Sequence, residues 1–173
     1  MSQSKSELLE WIQAIVIAVV LALLIRTFLF EVIQIEGSSM MPTFHEKDRV
    51  VVDRLTYRFS APKRGDVVIF KNPDDMSLNY IKRVIAVPGE TVEVKDGKVY
   101  VNDEPLSEPY IQEPPLDYFE KVTVPQNTIF VLGDNRNHSR DSRDPSVGFI
   151  PTVNILGKAK LKIWPLSDMK WYK

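Results

Sequence analysis

The 173-residue chain contains no cysteine. A disulfide framework, a thiol nucleophile and a cysteine-based metal site are therefore excluded. Cysteine-free proteins occur in oxidising and reducing compartments alike, so this absence assigns no compartment. An excess of one charge is also missing, since the formal net charge is −1. The balance lacks the basic footprint of a nucleic-acid binder. Glycine is scarce, seven residues against twelve prolines, which favours defined turns over flexible linkers. There is no internal repeat and no low-complexity tract. With 44% hydrophobic residues, the chain suits one domain plus an appendage.

What is present begins with a single long apolar run. Residues 14–25 carry no charge, and Leu8 to Phe30 is apolar except for Glu10, Gln13, Arg26 and Thr27. As a helix rising about 1.5 Å per residue, this stretch would cross a hydrocarbon core of about 30 Å. Trp11 at one end and Phe28 and Phe30 at the other suit interfacial positions. The run is followed by Arg26-Thr27-Phe28-Leu29-Phe30, which is bulky and charged rather than a small-x-small cleavage site. An uncleaved anchor is expected rather than a removable signal peptide. The expected organisation is a tail and anchor over 1–30 and a β-rich domain over 31–173. Lys5 and Arg26 flank opposite ends, so charge does not set the orientation.

From Glu31 onward the pattern is that of strands. Short β-branched runs occur at Glu31–Glu36, Arg49–Val52, Asp66–Phe70, Leu78–Val87, Thr91–Val94, Val99–Val101, Val122–Val124, Thr128–Leu132 and Ile155–Trp164. Turn residues separate them, and Asp96-Gly97 between two alternating runs is a strong hairpin signal. The spacing predicts a mainly antiparallel β domain, a sandwich or barrel. Pro105 to Pro115 reads as an ordered loop.

Three stretches carry candidate chemistry. The first is Gly37-Ser38-Ser39-Met40-Met41-Pro42-Thr43, in which a serine beside a glycine turn can present its hydroxyl. The competing role is a cap on a helical turn through Met40 and Met41. The second is Tyr80 to Val87, where Lys82 stands among apolar residues on one strand face. A desolvated lysine loses its proton more readily, and a neutral amine is a competent general base. Paired with Ser39, it would replace Ser-His-Asp: lysine removes the proton, serine attacks a carbonyl, and backbone N–H groups hold the oxyanion. The third is Gly133 to Asp144, with three arginines and three aspartates. It fails the calcium-loop pattern, because Arg136 stands at a ligand position, and reads instead as an ion-pair lattice that stiffens a loop. His138 or His45, with Asp134 or Asp141, offers a rival Ser-His-Asp set, since triads are geometric rather than sequential.

Together these stretches resemble the type I signal peptidases, peptidase family S26, in the compact form found in Gram-positive bacteria. Gly37 to Thr43 is similar to the family's serine box, Tyr80 to Gly89 to its lysine box, and Gly133 to Arg143 to its C-terminal box. Arg64-Gly65-Asp66-Val67-Val68 also matches. The boxes stand in the family's order, and the resemblance covers essentially the whole chain.

The resemblance implies Ser39 as nucleophile, Lys82 as base and Ser139 as the group that orients the lysine. It implies Asp134, Arg136, Asp141 and Arg143 as supports. Gly37, Ser38, Met40, Ile35, Tyr80 and Ile81 are the expected oxyanion and substrate contacts. The implied fold is a mainly β, antiparallel catalytic domain (signal-peptidase/LexA-like) after one transmembrane helix. The implied activity is removal of signal peptides from exported preproteins by a Ser-Lys dyad, with no cofactor, no metal and no nucleic acid.

The implied setting is the cell membrane, single-pass and monomeric, with the catalytic domain in contact with the lipid bilayer on the extracytoplasmic side. Gly37 departs from relatives that carry a serine there to assist the oxyanion hole. The alternatives are a membrane-anchored peptide-binding β-domain without catalysis and a Ser-His-Asp hydrolase.

Overall fold

The structure, a computed structural model, describes residues 3–172; the side chains of 3–6, 8 and 23–28 lie outside that description. The interfacial placement expected of Phe28 falls on one of these. A 26-residue helix, α1 (Gln3–Phe28), precedes all the strands. Its described apolar side chains, among them Leu9, Trp11, Ile15, Val16 and Leu21, are about half exposed or more. Among the described residues, no helix is long and apolar enough to cross a membrane.

The rest is β: β1 (Phe30–Gln34), β2 (Arg49–Asp53), a short helix α2 (Thr56–Phe59), β3 (Val67–Lys71), β4 (Asn79–Ala86), β5 (Thr91–Lys95), β6 (Lys98–Val101), β7 (Glu104–Pro105), β8 (Phe119–Thr123), β9 (Thr128–Leu132), β10 (Ile150–Pro151), β11 (Ile155–Trp164) and β12 (Lys170–Trp171). The nine β-branched runs all correspond to strands, to within a few residues at their ends. The short β7, β10 and β12 and the single-turn helix α2 carry too little periodicity to be read.

Every described pairing is antiparallel. An eight-stranded sheet runs β1-β2-β11-β3-β4-β9-β10, with β12 added to β11, and a four-stranded sheet runs β7-β6-β5-β8. Period-two burial explains the pairing faces: Val50 and Val52 of β2, and Val92 and Val94 of β5, point inward. The β5–β6 hairpin turns on Asp96 and Gly97, with φ of +49° and +70°. Positive φ at both positions is what a two-residue type I′ turn requires.

The small sheet packs through Val92, Val94, Val99 and Val101 on Ile85, Phe130 and Leu132 of β4 and β9. The other face of the same two strands carries Val84, Ile129 and Val131 against Val68 and Phe70. A third cluster joins Ile35, Met40, Phe44, Val50, Val52, Ile69 and Ile81. This last core ties the β1 side of the large sheet to β3 and β4, and the candidate site sits over it.

Candidate active site

Ser39 is presented by a turn after β1. The Ile35 N–H donates to Asp48 O (2.8 Å), and the Lys47 N–H donates back to Ile35 O (2.9 Å). Gly37 then turns the chain with φ of +78°, a conformation that penalises a Cβ. Ile35 before the bend and Met40 and Phe44 after it are buried, so the apolar core anchors the turn while Ser39 keeps a half-buried hydroxyl. The segment closes with hydrogen-bonded turns, Met41 N–H to Ser38 O (3.1 Å) and Phe44 N–H to Met40 O (2.9 Å). No α-helix forms there, so neither serine is a helix cap.

Lys82 meets that hydroxyl from β4. Its Nζ lies 2.8 Å from Ser39 Oγ and 3.0 Å from Ile81 O, and 5.0 Å from the Tyr80 ring centre. The side chain is buried, and desolvation pulls its pKa from the ordinary 10.5 to about 8 against the opposing pull of Asp141 and Asp134. A protonated amine would donate to Oγ. A neutral one would accept the hydroxyl proton, which is the geometry of a general base.

The charged loop is a lattice, with partners that differ from those expected. Asp134 accepts Arg83 Nε and Nη2 at 2.8 and 2.7 Å and the Thr43 hydroxyl at 2.5 Å. Arg136 is paired not with a loop aspartate but with Glu108, at 2.7 and 2.6 Å, and its Nε donates to Gly133 O at 3.0 Å. Tyr110 lies under both guanidinium groups, 3.9 Å from Arg83 and 5.9 Å from Arg136. Asp141 accepts the Gly133 N–H (3.0 Å) and both Nε and Nη2 of Arg143 (2.9 Å each). The proline-rich loop is thus a strap that completes the lattice.

Ser139 sits against Gly133, yet its buried Oγ makes no hydrogen bond among the described residues. The expected bond from Ser139 to Lys82 is not formed here. Asn135 does what sequence reading missed: its N–H donates to Ser39 O (3.0 Å) and its side-chain amide to Ser38 O (3.1 Å). A polar residue directly after Asp134 in the loop was the only signal for it. His138 contacts Asn135 Oδ1 (3.2 Å), and among the described residues neither it nor His45 hydrogen-bonds Ser39. No group of three His, Asp or Glu side chains converges among the described residues.

A groove of about 540 Å³ leads to the pair. One wall is the edge of β1 and its continuation, Ile33 to Glu36, and the other is Ser77 to Lys82. β1 lies at the edge of the sheet. β4 joins β9 only from Arg83 onward, so its 79–82 edge is open on that side. Of the expected substrate contacts, Ile35, Tyr80 and Ile81 line the groove. Gly37, Ser38 and Met40 do not, and Met40 is buried in the core, where its packing holds the turn.

Gly133 is where the lattice meets the nucleophile. A Cβ there would stand 2.2 Å from Ser139 Oγ and 2.4 Å from Ser39 O. Gly133→Ala is expected to displace the serine turn and lower kcat about 100-fold, the scale of a 1 Å misplacement. A steady-state assay alongside a melting curve separates this loss from global unfolding.

A family model described as signal peptidase, peptidase S26, matches residues 8–164. A protein named signal peptidase I from Leptolyngbya laminosa is 44% identical over 96% of this chain and 85% of its own length. Signal peptidase I T of Bacillus subtilis is 42% identical over 95% of this chain and 90% of its own. Signal peptidase I of Bacillus licheniformis is 40% identical over 98% and 95%. With the match spanning nearly its whole length, this chain belongs to the signal peptidase family, peptidase S26.

Proposed function

We propose that the chain is a serine endopeptidase that removes signal peptides from exported preproteins, with Ser39 as nucleophile and Lys82 as general base. The observation that carries the dyad is the 2.8 Å approach of Lys82 Nζ to Ser39 Oγ at the end of an open groove. Neutral Lys82 takes the Ser39 proton as Oγ attacks the scissile carbonyl. The Ser39 N–H, which donates to no group among the described residues, receives the oxyanion. The lysine ammonium then protonates the departing amine, freeing the mature chain and leaving an acyl-serine. Water, deprotonated by Lys82, attacks that ester and releases the signal peptide.

The substrate binds as an extended strand between the open edges of β1 and β4, which would pair it on both sides. Side chains facing Ile35, Ile69 and Ile81 must be small, because that floor is already packed. Asp134, Arg136, Asp141 and Arg143 hold the loop that carries Ser139 and Asn135 against the dyad.

The setting follows from the apolar run and the apolar surface. Residues 1–30 form the tail and single-pass anchor and residues 31–173 the catalytic domain, on the extracytoplasmic face of the cell membrane where preproteins emerge. Phe30, Val32, Trp164, Leu166, Met169 and Trp171 are exposed apolar residues that suit contact with lipid. Confining enzyme and substrate to one bilayer surface raises their effective concentration. The dyad and its lattice come from one copy, so a monomer suffices for activity.

The test uses the full chain in liposomes and a preprotein with an Ala-x-Ala site. Wild type is expected to release mature product, Ser39→Ala none, and His138→Ala most of it. Loss of activity in His138→Ala would favour a Ser-His-Asp hydrolase. Binding without cleavage in wild type would mark a peptide-binding domain. Extraction of the chain by alkaline carbonate would overturn the anchor.

A further inference from the structure

A strand lying between β1 and β4 presents alternate side chains to opposite faces. On β4, Ile81 faces the core shared with Ile35 and Ile69, whereas Tyr80 and Lys82 face the other way. On the peptidase reading above, on which this inference rests, the two small residues of a small-x-small motif face the Ile81 side. The residue between them then faces Tyr80.

Arg140 lines the same groove. Its guanidinium is held from behind by three groups. Nη2 donates to Asp74 Oδ2 (2.9 Å) and Ser146 Oγ (2.5 Å), and Nε donates to Ser146 Oγ (3.1 Å) and Asp144 Oδ2 (3.3 Å). Nη1 donates to no group among the described residues, and the side chain is 47% exposed. A fixed, half-exposed cation with an unused donor edge is a recognition element for a carboxylate or amide oxygen.

We infer that Arg140 and Tyr80 form the subsite for the middle residue of the motif, where they select an acidic or amide side chain over a basic one. Asp74 and Asp144 offset part of the charge, and Glu36 on the opposite wall favours a cation, so the selection is modest. An exposed pair of this kind gives about a three- to fivefold preference.

The experiment compares kcat/KM for three peptides differing only at that position, Ala-Glu-Ala, Ala-Gln-Ala and Ala-Lys-Ala. In wild type the glutamate peptide should lead the lysine peptide by about three- to fivefold. Arg140→Gln should level the ratio and Arg140→Glu invert it. In wild type, 0.5 M salt should compress it through screening, a readout that needs no variant. Equal rates in wild type, or a ratio unchanged in Arg140→Gln, would overturn the subsite alone. No cleavage of any of the three would overturn the peptidase reading and the subsite with it.

Discussion

Lys82→Met is expected to lower kcat by about 10⁴-fold while making the protein more stable at neutral pH. The activity loss follows from removing the group that takes the Ser39 proton, and losses of this size attend removal of a general base that works as a unit with its nucleophile. The gain in stability follows from the burial that prepares the lysine. A pKa moved from 10.5 to about 8 means that folding desolvates a charge, a penalty of order 3 kcal/mol.

The sign follows from proton counting. Below about pH 8 the lysine is protonated in both folded and unfolded chains, and the full penalty acts. Above about 10.5 it is neutral in both, and the penalty is gone. Between those limits the unfolded chain holds more protons, so wild-type stability rises with pH relative to Lys82→Met. Denaturant melts of both proteins between pH 7 and 11 measure this convergence. Wild-type kcat/KM should rise about tenfold per unit up to about pH 8 and then level, as the neutral amine becomes the dominant form. A variant that kept activity, or a flat profile through pH 8, would remove Lys82 from the base role.

Glu108→Ala is expected to destabilise the fold by about 3–5 kcal/mol. Arg136 has a fully buried side chain, and Glu108, 6% exposed, is its bidentate partner. Taking away the carboxylate leaves a guanidinium that neither deprotonates nor reaches water. With a total stability of about 5–15 kcal/mol to draw on, that loss would show as a large fall in urea midpoint. Joint replacement by Glu108→Leu and Arg136→Met should recover most of the stability, because a buried pair replaced by packed apolar groups is often neutral. Activity should recover less than stability, since Arg136 Nε would no longer hold Gly133 O. Full recovery of both would make the strap a stabilising device alone.

Most strands were readable in the sequence because β-branched runs between turn residues suit a pleated sheet; the runs at 49–52 and 91–101 show the period of two that one buried face imposes, whereas 67–70 is buried on both faces. The hairpin at Asp96-Gly97 was equally local. Lys82 stood out for the same reason, as a cation on an apolar strand face.

What the sequence by itself determined, then, were the periodic elements, the three boxes and the residue types a Ser-Lys dyad needs. The tertiary structure decided the pairings. Ser39 and Lys82 are 43 residues apart, Arg83 and Asp134 are 51 apart, and Glu108 and Arg136 are 28 apart. Separations of that kind have no local signature, because strand register and loop path bring the partners together. The same cause moved Arg136 from a loop aspartate to Glu108, left Ser139 Oγ without a partner among the described residues, and gave Asn135 the hold on the serine turn. The turn's serines by themselves were equally compatible with a helix cap, whereas burial of Met40 and Phe44 and the approach of Lys82 make it a platform that presents Ser39.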